Sequence, residues 1–439
     1  MAFFPKTWIL FLLLFQFSVT GLRAQKNSDR PNIIIFFTDD QGYADVGCYG
    51  GNVTTPHLDK LAKEGIRFTD FYVSANVCTP SRAALLTGRY PVRYGLHEAV
   101  LFPFSEGGMP TSEYTLAELL GDNGYSTSLV GKWHLGHKAE FMPWNQGFQQ
   151  FYGVPYSNDM DSHYYAHNDF QSPPLPFYSN QEVIENGPDQ RYLTKRYTEA
   201  AVKQIKSKSD KPFFMYVAHN MPHTPIHVSP AFEGKSGQGK YADVIMELDW
   251  SMGEIVKALK EEGLYENTLI LFTSDNGPRL GSAEPLRGKK AETWDGGHRV
   301  PAILSWPAGI KGGQIHGGYV NAMDFFPTLA SISESDMPKD LKIDGLDLSR
   351  KIKKGKLKKL PERPYFFYGR AGELEAVRLG KWKLHRAKTR GWDVKKQGAF
   401  TLALYNLEAD IAESNNVAAE NPKIVAKLQK LISDFESSL

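Results

Sequence analysis

Two short apolar runs, each closed by a cluster of polar residues, constrain the fold of this chain more than any other feature. Asn32–Phe37 reads NIIIFF and leads into TDDQG; Thr268–Phe272 reads TLILF and leads into TSDNG. A β-branched and apolar run without polar alternation has no solvent face, which predicts a strand buried on both sides of a parallel sheet. Ligands of open sheets of this kind bind beyond the carboxyl ends of the strands. The pairs Asp39–Asp40 and Asp275–Asn276 can therefore be delivered to one rim. Either pair alone is a weak signal, because Asp and Asn also cap helices and build turns.

Between the runs, helical and strand-like segments alternate, which is doubly wound α/β texture. Helices are expected at Thr55–Glu64 (stopped by Gly65), Thr115–Asp122, Leu193–Ser207 and Tyr241–Glu262, and strands at Tyr125–Val130 and Phe213–Val217. Gly153–Gly187, rich in Pro, Tyr, Asn and Asp, reads as long loops of the kind that carry specificity. After about residue 335 the texture changes. Lys351–Arg363 (KIKKGKLKKLPER) reads as a solvated connector. Short strands at Tyr365–Tyr368, Leu374–Leu379, Trp382–His385 and Ala403–Asn406, with a helix at Pro422–Phe435, predict a small antiparallel α+β subdomain. The expected division is a leader over 1–24, a catalytic domain over 28–335 and a C-terminal subdomain over 336–439. A chain of 439 residues can bury cores for both units.

A net charge of +2 makes no electrostatic case for nucleic acid or an acidic membrane surface. Lys6, the run from Trp8 to Phe17, and small residues at Gly21 and Ala24 predict a secretory signal cleaved near Ala24–Gln25. The run is shorter than the roughly 20 residues of a membrane span. Export, to a periplasm or beyond the cell, is the expected destination, with no stable membrane span.

Cys48 and Cys78 are the two cysteines. A disulfide between them is the bland reading in an oxidising compartment, and it ranks behind a functional role for Cys78. Cys48, in VGCYGG, suits a small packing residue. Cys78 opens the segment CTPSRAALLTGRYP. Pro80 belongs in a first helical turn, so Cys78 is placed at a helix N-terminus, where free N–H groups and the dipole favour an anion. Arg82, four residues on, shares its face. A thiol in that position is expected to have a lowered pKa; the alternatives are a plain thiol nucleophile or a packed cysteine.

CTPSRAALLTGR resembles the signature of the type I sulfatases, C-x-P-S-R followed by L-T-G-R. The resemblance extends from about Pro31 to the C-terminus and points towards the arylsulfatase A and N-acetylgalactosamine-6-sulfatase group and bacterial polysaccharide sulfatases. It implies an alkaline-phosphatase-like mixed sheet sandwiched by helices, and conversion of Cys78 to formylglycine by a maturase that reads this segment. One hydroxyl of the hydrated aldehyde would attack sulfur; the other would lose its proton so that the carbonyl re-forms and sulfate leaves. Asp39, Asp40, Asp275 and Asn276 match the family's metal ligands, with formylglycine at Cys78 also touching the metal. An oxygen-only anionic set suits a hard cation, calcium before magnesium. Gly131–Gly136 (GKWHLG) matches a family segment in which Lys132 neutralises sulfate oxygens and His134 takes the proton that triggers release. A Lys and a His two apart in a β-like segment share one face.

His223, in NMPHTPIH, matches the family histidine at the sulfate ester or leaving oxygen, with His219 and His227 as competitors. Leu286–Gly297 (LRGKKAETWDGG) departs from the family form at Lys289, Ala291 and Asp295. Alignment on its tail selects Lys290, not Lys289, as the active-site lysine. The resemblance gives Arg82 the task of holding the diol. Asp275 would accept the attacking hydroxyl's proton, and His223 or Lys290 would protonate the departing alcohol. Tyr156, Asn158, His163, Tyr164, Tyr165 and Trp294 are candidates for a sugar-recognition wall, with loop packing as the alternative for each. The expected reaction is hydrolysis of sulfate monoesters, on a sulfated saccharide. A phosphodiesterase or phosphonate hydrolase of the wider superfamily, and a non-catalytic glycan-binding protein, are the competing readings.

Overall fold

Both apolar runs form neighbouring parallel strands at the centre of a ten-stranded mixed sheet. A computed structural model describes residues 1, 30–162, 172–207, 209–355, 357, 360–389, 391–392 and 400–439. The strands are β1 (Asn32–Thr38), β2 (Ile66–Phe68), β3 (Phe71–Tyr72), β4 (Ser126–Lys132), β5 (Gln150–Val154), β6 (Pro176–Ser179), β7 (Glu182–Asn186), β8 (Phe213–Ala218), β9 (Thr268–Ser274), β10 (Ala302–Ser305), β11 (Gln314–His316) and β12 (Val320–Asn321). The order is β11-β2-β10-β9-β1-β8-β4-β5-β6-β7, while β3 and β12 pair separately. Strands β9, β1, β8, β4 and β5 run parallel; β10 and β6 are antiparallel to their inner neighbours.

Strand alternation divides the core between the two faces. Ile33, Ile35 and Phe37, with Phe214, Tyr216, Leu269 and Leu271, pack towards the helices Cys78–Thr87, Leu116–Asp122 and Phe325–Ile332. Ile34 and Phe36, with Met215, Val217, Ile270 and Phe272, pack towards Pro56–Glu64, Leu193–Lys206 and Lys240–Glu261. A one-residue slip would exchange these two sets, and each buried Ile or Phe contributes about 1.5–3 kcal/mol, so the register is strongly specified. Phe37 pairs with Ala218, Thr38 with Ser274 and Gly131 with Ala218, which makes the strands end together at one rim. Gly131 has φ 118°, and a Cβ there would lie 1.9 Å from the Ala218 carbonyl oxygen. Only glycine lets β4 approach β8 this closely.

The second unit is an antiparallel meander, β13 (Pro364–Tyr368), β14 (Leu374–Leu379), β15 (Trp382–His385) and β16 (Ala403–Asn406), covered by the helix Pro422–Glu436. Phe366 stacks on Phe435 of that helix at 3.9 Å.

Two sequence expectations change. Gly153–Gly187 contains the edge hairpin β6–β7, turned at Asn180 with φ 54°. β7 is polar and largely exposed, and β6 is four residues long with Phe177 alone fully buried, so neither carries the unbroken apolar signature of the central strands. The basic stretch Lys351–Arg363 is not simply solvated: Ile352 and Leu357 are buried in the core of the main sheet. Leu346 and Leu348 pack there too, so the segment past residue 335 adheres to the larger unit and the small sheet begins at Pro364. The two cysteines are free, in line with the ranking of the disulfide behind other roles, and Cys48 is partly buried against the core. The leader and His163, Tyr164 and Tyr165 lie outside the described residues.

Candidate active site

Cys78 opens the helix Cys78–Thr87, with extended Val77 as its N-cap, as the position of Pro80 predicts. Its Sγ is 3.4 Å from Asp39 Oδ1 and 3.4 Å from Lys290 Nζ. The expected lowering of its pKa is not found. Burial, with Asp275 and Asp39 adding to it, pushes the thiol well above its ordinary value, against the pull of Lys132 and Lys290. Desolvation disfavours the thiolate more than the helix N-terminus favours it. The encoded side chain is thus a packed, protonated thiol, the bland alternative for an unmodified Cys78.

Each strand end delivers its share of the site. After β1, Asp40 takes φ 65°, so that successive carboxylates diverge. Asp39 Oδ2 receives Lys132 Nζ at 2.5 Å. Burial raises the Asp39 carboxyl, but Lys132, His223 and Arg82 outweigh it and hold its pKa below the usual range. Asp40 Oδ1 receives Lys290 Nζ and Asn276 Nδ2, both at 2.7 Å, and its backbone N–H donates to Asp275 Oδ1 at 3.1 Å. Arg82 donates through Nε and Nη2 to Asp275 Oδ2, at 3.0 and 2.8 Å, and through Nη1 to the Lys132 carbonyl. Its contacts therefore orient Asp275 rather than reach Cys78 directly.

Lys290 is buried whereas Lys289 is exposed. Burial lowers the Lys290 ammonium pKa, but Asp40, Cys78 and Asp39 more than reverse this and raise it. Ala291 next to it has φ 70°. The left-handed region suits glycine, the residue of the family form, so Ala291 carries local strain.

Strand β4 stops at Lys132, and His134 adopts φ 62°. A left-handed turn, not strand alternation, therefore sets the His134 ring. Its Nε2 is 2.9 Å from the Leu101 carbonyl and so carries the proton. Nδ1 is a buried acceptor without a hydrogen-bond partner. Burial, with Lys132 and Arg82, presses the His134 pKa well below its ordinary value. The ring is a neutral base. His223 Nε2 stands 3.7 Å from Asp40 Oδ2, and its Nδ1 is also unpartnered. Of its competitors, His219 is buried beside Ser251 and Phe36, and His227 is part-buried.

Of the six sugar-wall candidates, the three within the described residues are engaged in packing or hydrogen bonds. Tyr156 is buried in an apolar cluster with Val130 and Met160. Asn158 Nδ2 is engaged by Gln190 and the Pro225 carbonyl. Trp294 packs on His385 and Tyr405 of the small sheet, with the Arg287 guanidinium 3.7 Å from its ring centroid. Two residues missed in the sequence stand closer to the chemistry. Ser157 Oγ accepts from Lys132 Nζ at 3.1 Å. Burial raises the Asp159 carboxyl, but His223 and Lys132 overcome it and lower the pKa. Only the β4–β5 register places this loop beside Lys132.

Three carboxylates, Asp39, Asp40 and Asp275, thus face three cations, Arg82, Lys132 and Lys290, and Asp159 adds a fourth carboxylate beside them. Asp40 Oδ2 and the Asn276 side-chain oxygen are buried acceptors with no hydrogen-bond partner. Potential ligand atoms of Asp39, Asp40, Cys78 and His223 lie within 4.8 Å of one another. Bare, hard oxygen donors of this kind fit a divalent cation, and binding one would make the site net positive.

A model of the sulfatase family matches residues 31–334. The chain belongs to the sulfatase family. Human arylsulfatase A is 38% identical over 446 residues, covering 91% of this chain and 87% of the relative. N-acetylgalactosamine-6-sulfatase of Sus scrofa is 38% identical over 418 residues, covering 89% and 78%. Ps i-CgsB, solved in complex with k-i-k-neocarrahexaose, superposes with a TM-score of 0.80 at 30% identity, covering 92% of each chain. The helix-flanked mixed sheet with its separate antiparallel sheet is the alkaline-phosphatase-like sulfatase architecture. This sulfatase is a sulfuric ester hydrolase.

Proposed function

We propose that this sulfatase removes sulfate from a sulfated carbohydrate after export, using formylglycine made from Cys78 by a maturase and calcium held by Asp39, Asp40, Asp275 and Asn276. The observation that carries the reading is the setting of Cys78 Sγ, at 3.4 Å from both Asp39 Oδ1 and Lys290 Nζ at a helix N-terminus. In the mature protein a diol oxygen would stand where Sγ stands. When present, the cation and the diol supply positive charge at the sulfate oxygens and a nucleophile with a second hydroxyl for release.

The chain's own residues do the rest. Lys132, Lys290 and His223 bind the anionic ester, and their charge is preorganised in a dry site, where it acts most strongly. Asp275, oriented by Arg82, is placed to accept the nucleophile's proton. Neutral His134, with a bare Nδ1, suits removal of the proton that triggers sulfate release. Lys290 is committed to Asp40 and Cys78, which leaves His223 as the acid for the departing alcohol. A carbohydrate substrate is supported by the solved relative that holds a neocarrahexaose. Among the described residues no helix is long and apolar enough to cross a membrane.

The test combines three measurements on protein co-produced with a formylglycine-generating enzyme. Intact mass should show replacement of the Cys78 CH2–SH by an aldehyde. Aryl sulfate should be turned over and aryl phosphate diester should not, with Cys78→Ala inactive. Calcium should raise the Tm, and Asp40→Asn should diminish that rise. Full turnover by Cys78→Ala, or hydrolysis of the diester alone, overturns the reading.

A further inference from the structure

An exposed tryptophan carries over its ring two arginines that, among the described residues, have no carboxylate partner. The Arg370 guanidinium carbon is 4.6 Å, and that of Arg279 5.3 Å, from the centroid of the Trp392 ring. Trp392 is 42% exposed. Among the described residues neither guanidinium enters an ion pair. Burial lowers the Arg370 pKa with no carboxylate opposing it. Two like charges on one ring repel each other, and a half-buried cation without a counter-ion is under-stabilised. Elsewhere at this junction arginines are neutralised: Arg378 binds Asp70 through both Nη atoms, and Arg299 lies near Asp70 and Asp295.

The segments that bear these three residues are tied to the segments of the site. Arg279 follows Asn276 by three residues, and the carbonyl of Pro278 accepts Lys290 N–H at 3.0 Å. Thr389, three residues before Trp392, accepts Thr293 N–H through Oγ1 at 2.9 Å. The Arg370 carbonyl accepts Ala99 N–H at 2.9 Å, two residues before Leu101, whose carbonyl holds His134. The segments that carry the cluster therefore adjoin those that carry Asn276, Lys290 and the Leu101 carbonyl partner of His134.

We propose that Arg279 and Arg370, gathered over the Trp392 ring, form a subsite for an oxyanion on the sugar residue adjoining the one being desulfated. A planar guanidinium matches the two-oxygen edge of a sulfate or carboxylate, and the exposed part of the tryptophan offers apolar surface to the ring that carries it. The substrate class is then an oligosaccharide with an anionic neighbour to the scissile ester. This rests on the carbohydrate sulfatase reading, and binding and hydrolysis are tested separately for that reason.

Three sets of size-defined oligosaccharides serve as probes: carrageenan fragments with a sulfated neighbour, chondroitin sulfate fragments with a carboxylated neighbour, and mono-sulfated fragments with a neutral one. Calorimetry on the Cys78→Ala chain should show the anionic probes binding, and Arg279→Ala or Arg370→Ala should weaken this about tenfold. The neutral-neighbour probe should change less than about twofold. The sulfated and carboxylated arms identify which oxyanion the subsite prefers. On matured enzyme with Cys78 intact, the same two changes should raise KM for the preferred probe about tenfold, with little effect on kcat or on aryl sulfate turnover. Equal losses on neutral and anionic probes, unchanged binding in both variants, or no anionic probe bound by the Cys78→Ala chain would overturn the subsite. Arginine-dependent binding without hydrolysis of any of these probes by matured enzyme would overturn the carbohydrate sulfatase reading and leave the subsite standing.

Discussion

At the residue scale the site depends on a few side chains whose neighbours in sequence do something else. Lys289 and Lys290 are chemically identical, and only burial distinguishes them. Lys290→Ala should reduce kcat/KM for aryl sulfate on the order of a hundredfold or more, as loss of one preorganised charge does elsewhere. Lys289→Ala should leave it within about threefold. Comparable losses in both variants would contradict this geometry. Ala291, at φ 70° and buried, supports a different measurement. Ala291→Gly should raise unfolding free energy by up to about 1 kcal/mol in denaturant titration, because relief of left-handed strain exceeds the added chain entropy. A loss of stability would mean that the alanine methyl packs better than its backbone is strained.

At the element scale, the loop that carries Lys290 is secured by the small C-terminal sheet rather than by its own strand. Thr293 Oγ1 donates to Glu375 Oε2 at 2.6 Å, and Asp295 N–H donates to Glu413 Oε2 at 2.7 Å. Lys383 lies between Asp295 and Glu413, at 2.9 and 2.8 Å. Burial and the Asp295 charge partners oppose each other there; Lys383, Arg299 and Arg378 prevail and hold the Asp295 carboxyl below the usual range. Thr293→Val removes one buried hydrogen bond at nearly constant shape. It should cost about 1–3 kcal/mol of stability and lower kcat more than it raises KM, while Thr293→Ser restores both. Unchanged kcat in a destabilised Thr293→Val protein would reduce the contact to a purely structural one. Hydropathy could mark each of these strands, but not this dependence, because no local pattern joins Thr293 to Glu375.

Across the whole molecule, buried neutral histidines couple stability to pH. Burial, with Lys383 adding to it, pushes the His298 pKa down to about 3. The unfolded chain binds a proton at that residue below about pH 6.5 and the folded one does not, so stability is full above 6.5 and falls as pH drops towards 3. Between pH 7.5 and 5 the loss from this residue should be about 2 kcal/mol. In denaturant titrations His298→Gln should show a correspondingly smaller drop between those two pH values. An equal drop in both proteins would show that His298 is protonated in the fold.

Most of the architecture and the nucleus of the site follow from local chemistry. Unbroken apolar runs specify doubly buried strands, and ligand pairs at their ends specify one rim. The CTPSR segment marks Cys78, and the four ligand-pair residues together with Lys132, His134, His223 and Lys290 can be located by motif. What local chemistry could not decide is how burial and distant charges act on these groups. The Cys78 thiol is raised rather than lowered because tertiary packing buries it and because Asp275 and Asp39 arrive from the ends of β9 and β1. Tyr156 and Trp294 are core and interface residues because tertiary packing covers them. Cys78 thus keeps the place that its sequence predicts, at a helix N-terminus facing the ligand pairs, while desolvation and charge meeting across the sheet decide its protonation.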